Sequence, residues 1–207
     1  MQCTARWLAG LIRVLLAAVC FSALGAQAEE IELRHAKLHL ANEGLLLEAE
    51  FAFEFPARLA EAVENGVPLY FLVEFEMTRP RWYWVDDRAA EKRLQLRLSY
   101  HALSRQYVVS SGPLEEQFAT LDEALGVLRR IRNWVVGERI ALISDAQYEA
   151  AVRMRLDVSL LPKPIQVTAL TSNEWRFESA WNRFSYRSPQ IKAPVESREL
   201  KPEATGQ

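Results

Sequence analysis

Leu45-Leu46-Leu47-Glu48-Ala49-Glu50-Phe51-Ala52-Phe53-Glu54-Phe55 decides the fold. Leu45, Leu47, Ala49, Phe51, Phe53 and Phe55 fall on one phase, and Leu46, Glu48, Glu50, Ala52 and Glu54 on the other. Successive side chains of a strand point to opposite faces, so this alternation predicts a half-buried antiparallel strand with its odd positions inward. Upstream, Ile31 to Ala41 reads as a partner strand whose apolar phase moves from odd (Ile31, Leu33) to even (Leu38, Leu40). That shift predicts a bulge near His35-Ala36, and Asn42-Glu43-Gly44 supplies the hairpin.

The same period recurs downstream. Val67, Leu69, Phe71, Val73, Phe75 and Met77 predict a third strand, with Glu74 and Glu76 on its solvated face. Leu94 to Tyr100 predicts a fourth, joined by a turn at Leu103 to Arg105 to a fifth over Gln106 to Ser110. Tyr148 to Val158 alternates in the same way, and a last strand is expected over Trp175 to Tyr186. Two helices interrupt the pattern. A short one spans Pro56 to Asn65, with Pro56 at its start and Gly66 at its end. A stronger one starts at Thr120, where Thr120 and Glu123 form a capping-box pair, and carries Leu121, Ala124, Leu125, Leu128, Ile131 and Trp134 at helical spacing. The expected fold is mainly β (α+β): an antiparallel β-sandwich-like domain with one long packing helix and one short helix, over residues 29–187. Residues 188–207 lose aromatics, gain prolines and read as a disordered tail.

Residues 1–28 read as a cleavable secretory signal. Arg6 and Arg13 supply positive charge, Val14 to Leu24 is the apolar stretch, and Ala26-Gln27-Ala28 is an A-x-A cleavage site before Glu29-Glu30. A membrane anchor would need about 20 uninterrupted apolar residues, and Arg13 splits the segment. The mature chain is therefore expected in the periplasm, cut after Ala28, without an integral membrane span. Cys3 and Cys20 both lie in the removed segment. The mature protein would thus have no disulfide, no cysteine-ligated zinc and no thiol nucleophile. It carries 23 basic and 27 acidic residues, so it has no basic excess with which to hold nucleic acid by field alone.

The residues offer little chemistry. His35 and His39 sit in a strand pattern, about 13 Å apart at 3.3 Å per residue, too far to share a metal ion. Ser99 and Ser104 flank His101, yet nothing orients that histidine as a catalytic base requires. Neither a G-x-S-x-G elbow, an H-E-x-x-H helix nor a phosphate-binding glycine loop occurs. No cofactor is expected. The acids at Glu48, Glu50, Glu54, Glu74 and Glu76 alternate with core residues and read as solvated sheet faces, with Arg93, Arg97, Arg153 and Arg155 available as cross-strand partners. Arg129, Arg130 and Arg132 read as the solvated face of the second helix.

One segment stands apart: Thr78-Arg79-Pro80-Arg81-Trp82-Tyr83-Trp84-Val85-Asp86-Asp87. Pro80 bars it from a central strand, and in an extended chain Trp82 and Trp84 share one face while Tyr83 takes the other. Packing with arginines stacked on indoles is one reading. The other is a binding surface of Arg79, Arg81, Trp82, Tyr83 and Trp84, the residue types that dominate interface hot spots.

Pro68-Leu-Tyr-Phe-Leu-Val-Glu-Phe-Glu, Thr78-Arg-Pro-Arg-Trp-Tyr-Trp, Arg97-Leu-Ser-Tyr-His-Ala-Leu-Ser-Arg-Gln-Tyr and Leu156-Asp with Leu161-Pro-Lys-Pro together resemble DUF4390, a proteobacterial family of exported proteins catalogued as a domain of unknown function. The likeness covers residues 30–187. It implies an exported protein of a kind often encoded beside a sensor histidine kinase of a two-component system, and it brings no catalytic residues to transfer. The function expected is a non-enzymatic periplasmic binding or accessory module whose partner is a protein or envelope component. The rival readings are an envelope hydrolase with an unrecognised site and a purely structural envelope protein.

Overall fold

The computed structural model describes residues 31–80, 87–138, 142–171 and 173–190. The signal segment and all but the first three residues of the expected tail lie outside these. Among these residues nine strands form two antiparallel sheets. The smaller sheet has the order β1-β2-β7, from β1 (Glu32–Leu40), β2 (Leu45–Ala52) and β7 (Arg130–Gly137). The larger has the order β6-β5-β4-β3-β8-β9. Its strands are β3 (Leu69–Arg79), β4 (Asp87–His101), β5 (Gln106–Ser111), β6 (Leu114–Phe118), β8 (Gln147–Leu156) and β9 (Asn182–Arg187). Helices α1 (Ala57–Glu64), α2 (Leu121–Arg129) and α3 (Lys163–Thr171) join them. The antiparallel sandwich-like architecture is the one the alternation predicts.

Both sheets feed one core. In β2, Leu45, Leu47, Ala49 and Phe51 are buried, and Phe53 follows them inward past the strand's end. Leu46, on the outward phase, is buried as well, between His39 of β1 and Val135 of β7. Strand β3 is flanked by β4 and β8, and its inward Leu69, Phe71, Val73, Phe75 and Met77 are wholly inaccessible. Each such side chain stabilises by about 1.5–3 kcal/mol on leaving water. Rings bridge the sheets: Phe75 of β3 meets Trp134 of β7 edge-on at 6.5 Å, and Phe177 meets Phe53 at 5.3 Å and Phe71 at 6.2 Å. The bulge in β1 falls between Leu33 and His35, as the phase shift requires. The Thr120 capping box forms, with both the Thr120 and the Glu123 side-chain bonds present.

Several elements differ from the sequence reading. Helix α2 stops at Arg129 instead of continuing to Trp134, and the chain passes directly into β7. Asn133 takes the left-handed backbone at φ 50° and the register slips between Leu47↔Trp134 and Ala49↔Ile131. This bulge puts Ile131 and Trp134, three apart, on the same face, so a strand imitates helical spacing. Of the last expected strand, Trp175 to Tyr186, only the part from Asn182 onward is strand; Trp175 sits in a short 3₁₀ turn and is buried. Strand β6 and helix α3 have no counterpart in the reading. Strand β6 is an edge segment with no apolar alternation, and α3 opens Lys163-Pro164, where proline is tolerated because first-turn N–H groups need no partner.

Candidate functional site

The pairing of β3 with β4 runs, with one register shift between Met77 and Thr78, to its last pair, Arg79↔Asp87. Residues 80–86 are thus the link at the end of the sheet's longest hairpin. Pro80 is exposed and ends β3, as a residue without an N–H must at a ladder's limit. Arg79 is half-buried at the strand's last position. Arg81, Trp82, Tyr83 and Trp84 lie outside the described residues.

Five pairs down the same strand, the structure corrects the reading of Glu74 as a solvated acid. Glu74 is buried at 7 % exposure although it points outward. Its neighbours across the ladder are Arg93 on β4 and Arg153 on β8. Glu74 Oε2 accepts from Nε of Arg153 at 2.5 Å and from Nε of Arg155 at 3.2 Å, while Nε of Arg93 lies 3.6 Å from Oε1. Burial pushes the Glu74 carboxyl up, but hydrogen bonds and charge from Arg153 and Arg155 outweigh it and hold the group below the usual glutamate range. The Arg153 guanidinium also lies over the Trp181 ring, 4.5 Å from its centroid. The anticipated pairing of acids with Arg93, Arg153 and Arg155 is present; what alternation alone does not reveal is that all three converge on one carboxylate. Arg97 pairs instead with Glu115 of β6, at 3.1 Å.

The arginine trio at 129, 130 and 132 divides between two elements. Arg129, in the last turn of α2, donates to Asp122 at 2.9 Å and to the Phe53 carbonyl at 3.4 Å, and lies 5.2 Å from the centroid of the Phe53 ring. Arg130 and Arg132 are exposed on β7, with Arg130 3.9 Å from Glu50. Arg129, Arg130, Glu32, Arg34, Glu50 and Asp122 line an open groove of ≈ 600 Å³ beside Gly126, whose absent side chain leaves open space there. Both signs alternate along this groove, so it has no single ligand charge. His35 and His101 are exposed and His39 is half-buried. Among the described residues no three of His, Cys, Asp and Glu gather where they could hold a metal ion. Nor is any helix among them long and apolar enough to cross a membrane.

The family model described as Domain of unknown function (DUF4390) matches residues 28–185. No curated protein and no solved structure matches the chain. The match spans most of the chain, which therefore belongs to that family.

Proposed function

We propose that this family member is an exported, non-enzymatic binding or accessory module of the periplasm, freed of its leader after Ala28. It captures a protein or envelope component through Arg79, Arg81, Trp82, Tyr83 and Trp84. The observation that supports this reading is that the cationic and aromatic stretch Arg79 to Trp84 falls between β3 and β4, at the end where Arg79 pairs with Asp87. A hot spot of arginine and indole on such a link reaches a partner without disturbing the ladder behind it. The neighbourhood implied by the family makes the periplasmic part of a sensor histidine kinase the first candidate partner.

The test measures thermal unfolding of Arg81→Ala, Trp82→Ala and Trp84→Ala beside their affinity for that purified kinase domain and their recovery of partners from envelope extract. One tryptophan is expected to be structural, costing about 3–5 kcal/mol of stability. Arg81 and the other tryptophan are expected to leave the melting temperature nearly unchanged and to weaken capture by about thirtyfold, or 2 kcal/mol. Full capture by all three variants, or unfolding of all three, removes the binding role. The intact mass of the periplasmic form is expected to correspond to a start at Glu29, and a species retaining residues 1–28 or carrying a lipid ends the periplasmic reading.

A further inference from the structure

On the outward face of the larger sheet, every outward position along β3 has a charged or polar neighbour. Arg97 faces Tyr70; Gln95 and Arg155 flank Leu72; Arg93 and Arg153 flank Glu74; Glu91 and Ala151 flank Glu76; Arg88 and Glu149 flank Thr78. Arg183 of β9 continues the row of Ala151. Six arginines therefore stand against four glutamates on β3, β4, β8 and β9, although the whole chain carries a formal charge of −2. Flanking acids are already engaged: Glu149 with Arg183 at 2.7 Å, Glu178 with Arg176 at 2.8 Å, and Glu91 with both Arg88 and Arg93.

At the centre, Arg153 and Arg155 each use Nε to hold Glu74. Among the described residues the terminal nitrogens of these two guanidiniums meet no protein acceptor, while the side chains stay 28 % and 29 % exposed. A guanidinium bound through one edge still offers a two-nitrogen fork to a second carboxylate. Glu74 below and the Trp181 ring alongside Arg153 fix the orientation before any ligand arrives, which removes much of the ordering cost of binding. Arg153 and Arg155 stand two residues apart on one strand, about 7 Å along it, which is also the distance between alternate side chains of any extended peptide.

The geometry points to a binding site on this face for an extended acidic peptide segment of a partner protein. Carboxylates at alternate positions of that segment each take the terminal fork of Arg153 or Arg155. Spacing and fork geometry select the ligand. A net excess of two among these ten charges would give a diffuse anionic surface little long-range attraction, since charges farther apart than about 10 Å are screened in salt. The proposal does not rest on the role of residues 79–84.

The probe is a fluorescein-labelled peptide of alternating glutamate and threonine, titrated into the protein and followed by anisotropy. A peptide of the same composition with its glutamates contiguous serves as comparison, and inorganic phosphate at matched ionic strength as competitor. The alternating peptide is expected to bind saturably and more tightly than the contiguous one, and phosphate is expected not to displace it. Arg155→Lys keeps the charge beside Glu74 and removes the fork; it should retain the native melting temperature and lose about tenfold in affinity, equivalent to about 1.4 kcal/mol. Arg155→Gln should lose at least as much. Absence of saturable binding, equal affinity for the two peptides, an undiminished affinity of Arg155→Lys, or displacement by phosphate each overturns the assignment.

Discussion

Glu74 is the residue at which position and environment part company. Its phase along β3 marks it as outward, and alternation reads correctly to that point. Its burial comes from side chains that are distant in sequence, Arg153 being 79 residues away, and no local pattern carries that information. Because its carboxyl is held below the ordinary range, its contribution is fully present above the unfolded pKa of about 4.3 and is lost as pH falls through the lower folded value. Glu74→Gln is expected to cost about 2–3 kcal/mol at neutral pH, less than the 3–5 of a fully buried pair because the arginines keep partial access to water. It should also shrink the fall in stability below about pH 4.3. Urea unfolding at pH 7 and pH 3.5 measures both, and equal losses at the two pH values contradict the ion-pair account. Glu50→Ala, exposed and loosely placed near Arg130, should cost under about 0.5 kcal/mol.

Among the elements, β1, β2, β3 and β8 were legible because one of their faces is apolar and the other polar, which is the only signal alternation carries. The charged first half of β4, Asp87-Arg-Ala-Ala-Glu-Lys-Arg, and the edge strand β6 owe their form to pairing with neighbours, so their own side chains announce nothing. The passage from α2 to β7 misleads for a different reason: the bulge at Asn133 gives Ile131 and Trp134 a spacing of three while β-branched Val135 and Val136 favour the strand. This assigns Asn133 a definite role. Asn133→Gly should be tolerated within about 0.5 kcal/mol, whereas Asn133→Val, which disfavours positive φ, should cost about 1–3 kcal/mol. Thermal melts of the two variants distinguish a strained bulge from an ordinary turn. The Thr120 cap should be worth about 1 kcal/mol on Thr120→Ala. At the β1–β2 turn, a side chain on Gly44 would come within 2.4 Å of the Gly137 carbonyl. Gly44→Ala should therefore destabilise β7 as well as the hairpin, by about 1–3 kcal/mol.

For the whole molecule, the shared core means that the two sheets have no separate stability. Phe51→Ala in the smaller sheet and Phe75→Ala in the larger should each cost about 3–5 kcal/mol and lower a single common transition. Two resolved transitions in calorimetry would show the sheets to be independent. The candidate surface was legible as a composition and not as a place, since the hairpin that carries residues 79–84 is defined by the Arg79↔Asp87 pairing. The order β1-β2-β7 has a kinetic consequence. Four strands of the other sheet separate β2 from β7 in sequence, so a chain emerging from its N-terminus makes the first hairpin early and leaves it unpaired until residues 130–137 arrive. Closing so long a loop is slow, and in the interval the apolar side of Leu45, Leu47 and Phe51 is open to aggregation or to a holdase chaperone. Truncations at Trp134 should accordingly slow refolding, while those at the β8–β9 edge should mainly hasten unfolding.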